Sequence, residues 1–149
     1  MKISRIFLSF IVAAAAACAT GPVSDEEGRA ILVGNWYGEY DKCKCGDFDF
    51  LRWTRLNLPN GEQRVHFRYY HEGQVRQNVI RLGHWEYHSG IYSDTCESYV
   101  VDGTPRSCPD SRYDFVVESI TADAMTYRND KYQIRYSTRR VADDFRLPE

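Results

Sequence analysis

The sequence has little excess charge of either sign and none of the common signatures of nucleic-acid or nucleotide binding. It contains 19 Lys and Arg residues against 21 Asp and Glu residues, and no basic cluster suits a phosphate backbone. Its glycines lack the spacing of a phosphate-binding loop. Ser89, Ser93 and Ser98 lack the surroundings of a nucleophile motif. We therefore expect no enzyme activity, no cofactor and no nucleic-acid partner.

Long apolar runs are also missing, apart from one near the N-terminus. It extends from Ile6 to Ala17, is broken only by Ser9, and follows the positive residues Lys2 and Arg5. Its roughly 12 residues are too few for a bilayer, which needs about 20, but they match the core of a signal peptide. The sequence therefore predicts a signal peptide over residues 1–17.

A cysteine directly follows this segment. Ala15-Ala16-Ala17-Cys18 resembles the lipobox of bacterial lipoproteins, with Ala15 at the position usually taken by Leu. The resemblance implies that Cys18 carries fatty acyl chains such as palmitate, and Ala19 after it resembles lipoproteins sorted to the outer membrane. Ordinary cleavage after Ala17 or Ala19, without a lipid, is the alternative.

The rest of the chain is predicted to be a tether and one β domain. Ala19 to Arg29 are small or charged residues without an apolar period, which indicates a tether over residues 18–30. Residues 31–149 suit a single domain with one core. Aromatic residues make up 14% of the chain, which favours strands. No segment after the signal peptide combines a 3.6-residue period with capping residues, so no helix is predicted.

Alternation of apolar and polar residues predicts eight strands. They cover Ile31 to Asp41, Phe50 to Leu58, Glu62 to Tyr70, Gln74 to Tyr87, Ile91 to Val101, Arg112 to Ile120, Ala124 to Arg128 and Lys131 to Val141. Asn60-Gly61 favours a tight hairpin, and a bend is expected at Gly83. The predicted fold is all-β, an eight-stranded antiparallel up-and-down barrel, which has no unpaired edges.

Up-and-down order sorts the connections into two ends of the barrel. The turns at 59–61, 89–90 and 121–123 fall at one end, together with both termini of the domain. The long loops at 42–49 and 102–111 fall at the other end, which we call the mouth. A barrel of this size either fills itself with side chains or holds one small ligand.

Residues at the two ends of this domain resemble the lipocalin family. Gly34-Asn35-Trp36 and Arg139-Arg140 resemble the pattern in which a Trp plugs the closed end and an Arg packs across its ring. Further segments resemble small bacterial lipocalin-like domains: Val33 to Tyr40, Gly83-His84-Trp85 and Asp143 to Pro148. The resemblance implies a closed end built from Gly34, Trp36 and Arg140, with Arg139 as the alternative partner, and binding of small apolar molecules.

Four cysteines follow Cys18 in the sequence: Cys43, Cys45, Cys96 and Cys108. In an oxidising compartment they favour two disulfides, for which three connectivities exist. Because Cys43 and Cys45 lie on one mouth loop and Cys96 and Cys108 flank the other, we expect bonds that cross between the two pairs. A metal or redox pair at Cys43-x-Cys45 is the alternative, although no histidine lies nearby in sequence.

Strand parity directs a set of mostly aromatic side chains into the barrel, where they could line a ligand cavity. The set is Tyr40, Trp53, Arg55, Phe67, Tyr69, Trp85, Phe115, Tyr127 and Tyr136. A fully packed core of the same side chains is an equal alternative. Arg55 could meet a ligand carboxylate inside the barrel or form a salt bridge on its outside.

One histidine-rich segment has the residue types of a metal site, but their spacing along a strand does not suit one. His84, Glu86 and His88 share a strand face, but two residues four positions apart on a strand are separated by roughly 13–14 Å. They cannot share one coordination shell, so we interpret the three side chains as solvent-exposed and expect no metal.

The sequence thus predicts an exported, lipid-anchored barrel that binds a small, largely apolar ligand at the cell envelope, most simply at the outer membrane. A filled barrel that acts as a protein-interaction module, such as an inhibitor or assembly factor, is the main alternative, and an enzyme is the third. A cavity wide enough for a ligand favours the first hypothesis. An exposed apolar patch on the mouth loops favours the second.

Overall fold

The structure is a computed structural model that describes residues 23–41 and 47–148. The predictions for the signal peptide and for Cys18, Cys43 and Cys45 concern residues outside this described part. In the described part, one helix and ten strands succeed one another along the chain.

The first element is a helix, α1 (Asp25–Leu32). The prediction of a tether without a helix is wrong for these residues. The sequence signal was a cap: the Ser24 side chain accepts a hydrogen bond from the backbone N–H of Glu27 at 3.3 Å, and three acidic residues follow in the first turn. Both features stabilise a helix N-terminus. Eight residues are too few to show a clear period, and so short a helix depends on tertiary packing.

The barrel packs against α1 through one helix face. Gly28 and Leu32 are its buried residues, and a Cβ on Gly28 would collide with the ring of Tyr87. Arg29 donates from Nε to the Tyr87 carbonyl oxygen at 3.3 Å. The small residue therefore lets the helix axis lie close to the barrel strands.

The ten strands have short connections. They are β1 (Gly34–Tyr40), β2 (Phe50–Asn57), β3 (Glu62–His71), β4 (Gln74–His88), β5 (Ile91–Thr95), β6 (Ser98–Val101), β7 (Thr104–Arg106), β8 (Arg112–Ile120), β9 (Ala124–Asn129) and β10 (Ile134–Val141). All pairings are antiparallel, in the order β3-β2-β1-β10-β9-β8-β5-β4, and pairing of β3 with β4 closes the ring. This confirms the predicted all-β, eight-stranded antiparallel barrel, the architecture of lipocalin-like barrels.

The predicted fifth strand is present but interrupted. β5 pairs with the last four residues of β4 and β6 with four residues in its middle, and Cys96 and Glu97 separate β5 from β6. The cause is visible opposite the break, where Gly83 lies so close to the carbonyl of Thr95 that a Cβ would not fit. After β6 the chain turns back as β7 within the predicted 102–111 loop. The β6–β7 hairpin therefore lies outside the ring of eight strands.

The closed end of the barrel is organised around Trp36, which is fully buried. Its Nε1 donates to the Leu32 carbonyl oxygen at 2.9 Å, and the Arg140 guanidinium lies 4.6 Å from the centre of its ring. Arg140 also donates to the carbonyl oxygens of Val33 and Ile31 at the end of α1. A cation beside the carbonyls of a helix C-terminus is favourable, so Arg140 joins the helix to the plug.

Of the other two residues predicted for the closed end, Gly34 contacts Arg140 of the Trp36–Arg140 pair and Arg139 lies on the outer surface. Gly34 has φ +120° and leaves no room for a Cβ against Arg140. Arg139 was the alternative to Arg140, and that assignment is wrong. Adjacent residues on a strand face opposite sides, and Arg139 lies outside, over the rings of Tyr37 at 4.9 Å and Phe145 at 5.9 Å.

Residues 142–148 return along the outside of the barrel. Phe145 packs edge-on against Tyr37, and Arg68 donates to the carbonyl oxygen of Leu147 at 2.8 Å. Tyr70 donates to the Pro148 carbonyl oxygen at 3.0 Å. The side chain of Leu147 is 4% exposed, so this segment is part of the folded domain.

A disulfide joins Cys96 to Cys108, with a Cα–Cα distance of 5.9 Å. The expectation that both would bond to Cys43 and Cys45 is therefore wrong. The expectation assumed one uninterrupted fifth strand up to Val101. Such a strand would separate Cys96 from Cys108. The β6–β7 hairpin instead reverses the chain and brings the two cysteines within bonding distance.

Candidate ligand-binding site

The half of the barrel remote from α1 contains a cavity of about 300 Å³. The β6–β7 hairpin borders this cavity, because Tyr99 of β6 lines it. Pro109, which follows the disulfide-bonded Cys108, lines it as well. The complete lining is Leu51, Trp53, Arg55, Phe67, Tyr69, Arg81, Tyr99, Pro109, Tyr113, Phe115, Tyr127, Asn129, Tyr132 and Tyr136. The barrel interior is thus not fully packed in this half.

The sequence-predicted lining residues divide into two groups. Around the cavity lie Trp53, Arg55, Phe67, Tyr69, Phe115, Tyr127 and Tyr136. Trp85 does not line it, because it belongs to the closed half, where its Nε1 donates to the Leu58 carbonyl oxygen at 2.9 Å and its ring stacks on Tyr92. Tyr40 packs on the ring of Tyr136 and is also no lining residue. Arg55 is inside the barrel, so the alternative of an outer salt bridge is excluded.

Several lining residues were missed in the sequence although strand parity could have found some of them. Leu51 shares its strand face with Trp53, Tyr113 with Phe115, and Asn129 with Tyr127. Arg81 stands on the interior face of β4, and its charge argued against placing it there. Tyr99 lies on β6, outside the ring of eight strands, whereas Pro109 and Tyr132 lie in connections, where alternation gives no signal.

Apart from Arg55 and Arg81, the cavity walls are uncharged and mostly aromatic. Tyr136 packs against Trp53 at 5.6 Å and against Tyr127 at 5.3 Å between ring centres. Burial raises the pKa of Tyr69 to about 12, and it also raises the pKa of Tyr127 and Tyr136 above the ordinary tyrosine value. These phenols therefore keep their protons at neutral pH, and each offers an apolar ring with one polar atom.

A buried ionic cluster forms the inner limit of the cavity. Asp94, 0% exposed, accepts a hydrogen bond from Arg81 Nη2 at 2.7 Å on Oδ2. The same oxygen lies 3.7 Å from Nη2 of Arg55. Burial raises the pKa of Asp94, while the two guanidinium groups oppose that shift. We take Asp94 as ionised, because its protonation would leave two buried cations without a counter-charge.

Aromatic rings cover the faces of both guanidinium groups. Arg55 lies 4.8 Å from the ring centre of Tyr92 and 5.3 Å from that of Tyr127. Arg81 lies 4.7 Å from Tyr113 and also contacts Phe67. Such cation–π contacts favour a buried guanidinium, but they satisfy its flat faces and leave the N–H edge to other partners.

The hydrogen bonding of this cluster is incomplete. Within residues 23–41 and 47–148, the buried atoms without a partner include Arg55 Nε and Nη1, Arg81 Nε and Asp94 Oδ1. Two guanidinium groups against one carboxylate also leave one net positive charge inside the described part of the barrel. Unpartnered buried N–H groups and uncompensated charge both cost free energy.

Beyond the cluster, the closed half of the barrel contains a polar network beside its hydrophobic core. Asn57 Oδ1 accepts hydrogen bonds from Gln63 at 3.0 Å and from the Tyr92 hydroxyl at 3.2 Å. Asn57 Nδ2 donates to the Leu32 carbonyl oxygen at 3.0 Å. This network connects the floor of the cavity to the end of α1.

The histidines of β4 each contact a different acidic residue on the surface. His84 Nδ1 lies 2.9 Å from Glu97, and His88 Nδ1 lies 2.5 Å from Asp25. Glu86, between them, pairs with Arg112. The three side chains thus lie on one strand face, but each pairs with a different residue. No group of three metal-ligating side chains occurs in the described ranges.

The fold and the cavity define this protein as a closed eight-stranded antiparallel β-barrel with an internal cavity. No model of a known protein family matches the chain, and no curated protein has significant sequence similarity to it. Among the residues that the structure describes, no helix is both long and apolar enough to cross a membrane.

Proposed function

We propose that this protein is an exported, lipid-anchored barrel that binds a small, largely apolar ligand at the cell envelope. The observation that supports binding is the cavity of about 300 Å³ among aromatic side chains, a size at the lower end of small-molecule sites. A filled barrel, on which the protein-interaction hypothesis depends, does not match this interior. The lipocalin-like segments of the sequence support the same proposal.

The binding proposal predicts that the protein retains a small molecule when it is purified from its own membrane. Native mass spectrometry should show an adduct on the wild type. Phe67→Trp places a larger ring into the cavity and should weaken retention roughly fivefold or more, because overpacking an occupied site costs about 1–3 kcal/mol.

The matched control is Phe50→Trp, since Phe50 lies on β2 outside the cavity and packs against Tyr70. This variant should retain the adduct as the wild type does. A wild type without any adduct, or an adduct that Phe67→Trp leaves unchanged, would contradict the proposal.

The anchor proposal depends on the lipobox-like sequence that ends at Cys18. We expect a fatty-acid probe to label the wild-type protein in cells and to leave Cys18→Ala unlabelled, because the acylated thiol is then missing. Cys108→Ala is the control, since that sulfur forms the disulfide with Cys96. Equal labelling of wild type and Cys18→Ala would remove the anchor from the proposal.

The position of α1 gives the proposed anchor a direction. The described chain begins at Val23 and enters α1 at the closed end, whereas the cavity lies in the opposite half. A lipid on Cys18 would attach the protein through its closed end. The ligand would then enter from the side that faces away from the membrane.

A further inference from the structure

We infer that the cavity selects a ligand with one negative charge, a carboxylate on an aromatic or similarly apolar body, and that Arg55 and Arg81 hold this carboxylate. The inference rests on the proposed binding function and specifies the class of ligand. It is carried by the charges, the hydrogen-bond donors and the shape of the site.

Charge is the first argument. Arg55 and Arg81 are the two charged residues among the described lining residues, and both are more than nine-tenths buried. Asp94 compensates one of the two positive charges. A monovalent anion would bring the total to zero, whereas a neutral ligand would leave the buried charge uncompensated.

Donor geometry is the second argument. Asp94 Oδ2 takes its close hydrogen bond from Arg81, and Arg55 stays 3.7 Å away. Among the residues that the structure describes, Arg55 Nε, Arg55 Nη1 and Arg81 Nε have no acceptor, and Asp94 Oδ1 has no donor. A carboxylate has two oxygens with lone pairs for several N–H donors, which matches the edge of a guanidinium.

The cavity walls determine the polarity and the size of the rest of the ligand. Trp53, Phe115 and Tyr136 line the cavity with packed rings, so the body of the ligand meets apolar surfaces. The volume of about 300 Å³ suits a body of one or two rings. A second negative charge is disfavoured, because it would face Asp94 without a further cation.

The test compares two ligands of nearly equal shape, 2-naphthoate and its neutral carboxamide, 2-naphthamide. Binding of each to the full-length protein in detergent is measured by isothermal titration calorimetry, with a protein-free detergent blank. We expect 2-naphthoate to bind roughly 10- to 100-fold more tightly, the range for hydrogen bonds to a charged group.

Two variants should change this preference in opposite directions. Arg81→Met makes the interior neutral and should remove most of the preference for 2-naphthoate. Asp94→Asn removes the competing carboxylate and should increase it. Because the directions differ, either variant decides the question if the other fails to fold. Arg76→Met is the control, since Arg76 is exposed on β4 and its loss changes the net charge of the protein equally.

Each result has a definite meaning. A preference that falls in Arg81→Met or rises in Asp94→Asn, and persists in Arg76→Met, supports the inference. Equal binding of the two compounds to the wild type, or a preference that neither interior variant changes, overturns the inference and leaves the binding function standing. Failure of both compounds to bind overturns the binding function together with the inference.

Discussion

Trp36→Ala is expected to lower the free energy of unfolding by about 3–5 kcal/mol, the usual cost of truncating a fully buried Trp. Trp36 is 0% exposed, and its ring lies beneath the Arg140 guanidinium. Truncation leaves a cavity at the closed end and removes the hydrogen bond to the Leu32 carbonyl oxygen. The end of α1 should therefore loosen together with the plug. Urea denaturation followed by circular dichroism measures the loss.

Tyr132→Ala is a suitable comparison for Trp36→Ala. Tyr132 is also aromatic but is 45% exposed, so its truncation should shift the urea midpoint much less. If the midpoint of Trp36→Ala equals that of the wild type, Trp36 does not act as a plug and the structural role assigned to it is wrong.

The second large effect is expected at the ionic cluster. Asp94→Asn removes the one carboxylate between Arg81 and Arg55 and leaves two buried cations without a counter-charge. Breaking a buried pair in this way costs about 3–5 kcal/mol. We expect a loss of this size in the urea denaturation of the ligand-free protein.

Asp130→Asn provides the matched control for Asp94→Asn. Asp130 is exposed and pairs with Arg128 on the surface, where solvent screens the interaction, so little change is expected. Addition of 2-naphthoate should restore part of the lost stability of Asp94→Asn, because an anion that binds the native state stabilises it. Equal stability of Asp94→Asn and the wild type would contradict the role of Asp94 as the counter-charge of Arg55 and Arg81.

Alternation along the chain predicted the barrel, because a strand with one face in a core repeats every two residues. The hairpin at Asn60-Gly61 was predicted from the preference of Asn-Gly for tight turns, and Gly61 indeed has φ +87°. The pattern could not show the shortest elements of secondary structure. α1 spans eight residues, and β7 spans three, so neither repeats often enough to be recognised.

The candidate site was predicted only in part, since it depends on contacts between distant strands. Parity allowed Arg55 to lie inside but left an outer salt bridge open, and its pairing with Asp94 and Arg81 arises from three strands, β2, β5 and β4. Nothing in the sequence near any of the three residues indicates this cluster. The disulfide prediction was wrong for a similar reason, because the partner of Cys96 was decided by the unpredicted β6–β7 hairpin.

The β6–β7 hairpin also provides the edge of the sheet at which a further strand could add. β7 is the last strand in the sheet order, so within the described residues it presents the free edge of an otherwise closed sheet. It is three residues long and has Pro105 at its centre, and proline lacks an N–H donor. Short edges that contain proline resist the addition of another strand. Addition of a strand from a second copy at this edge is thus disfavoured.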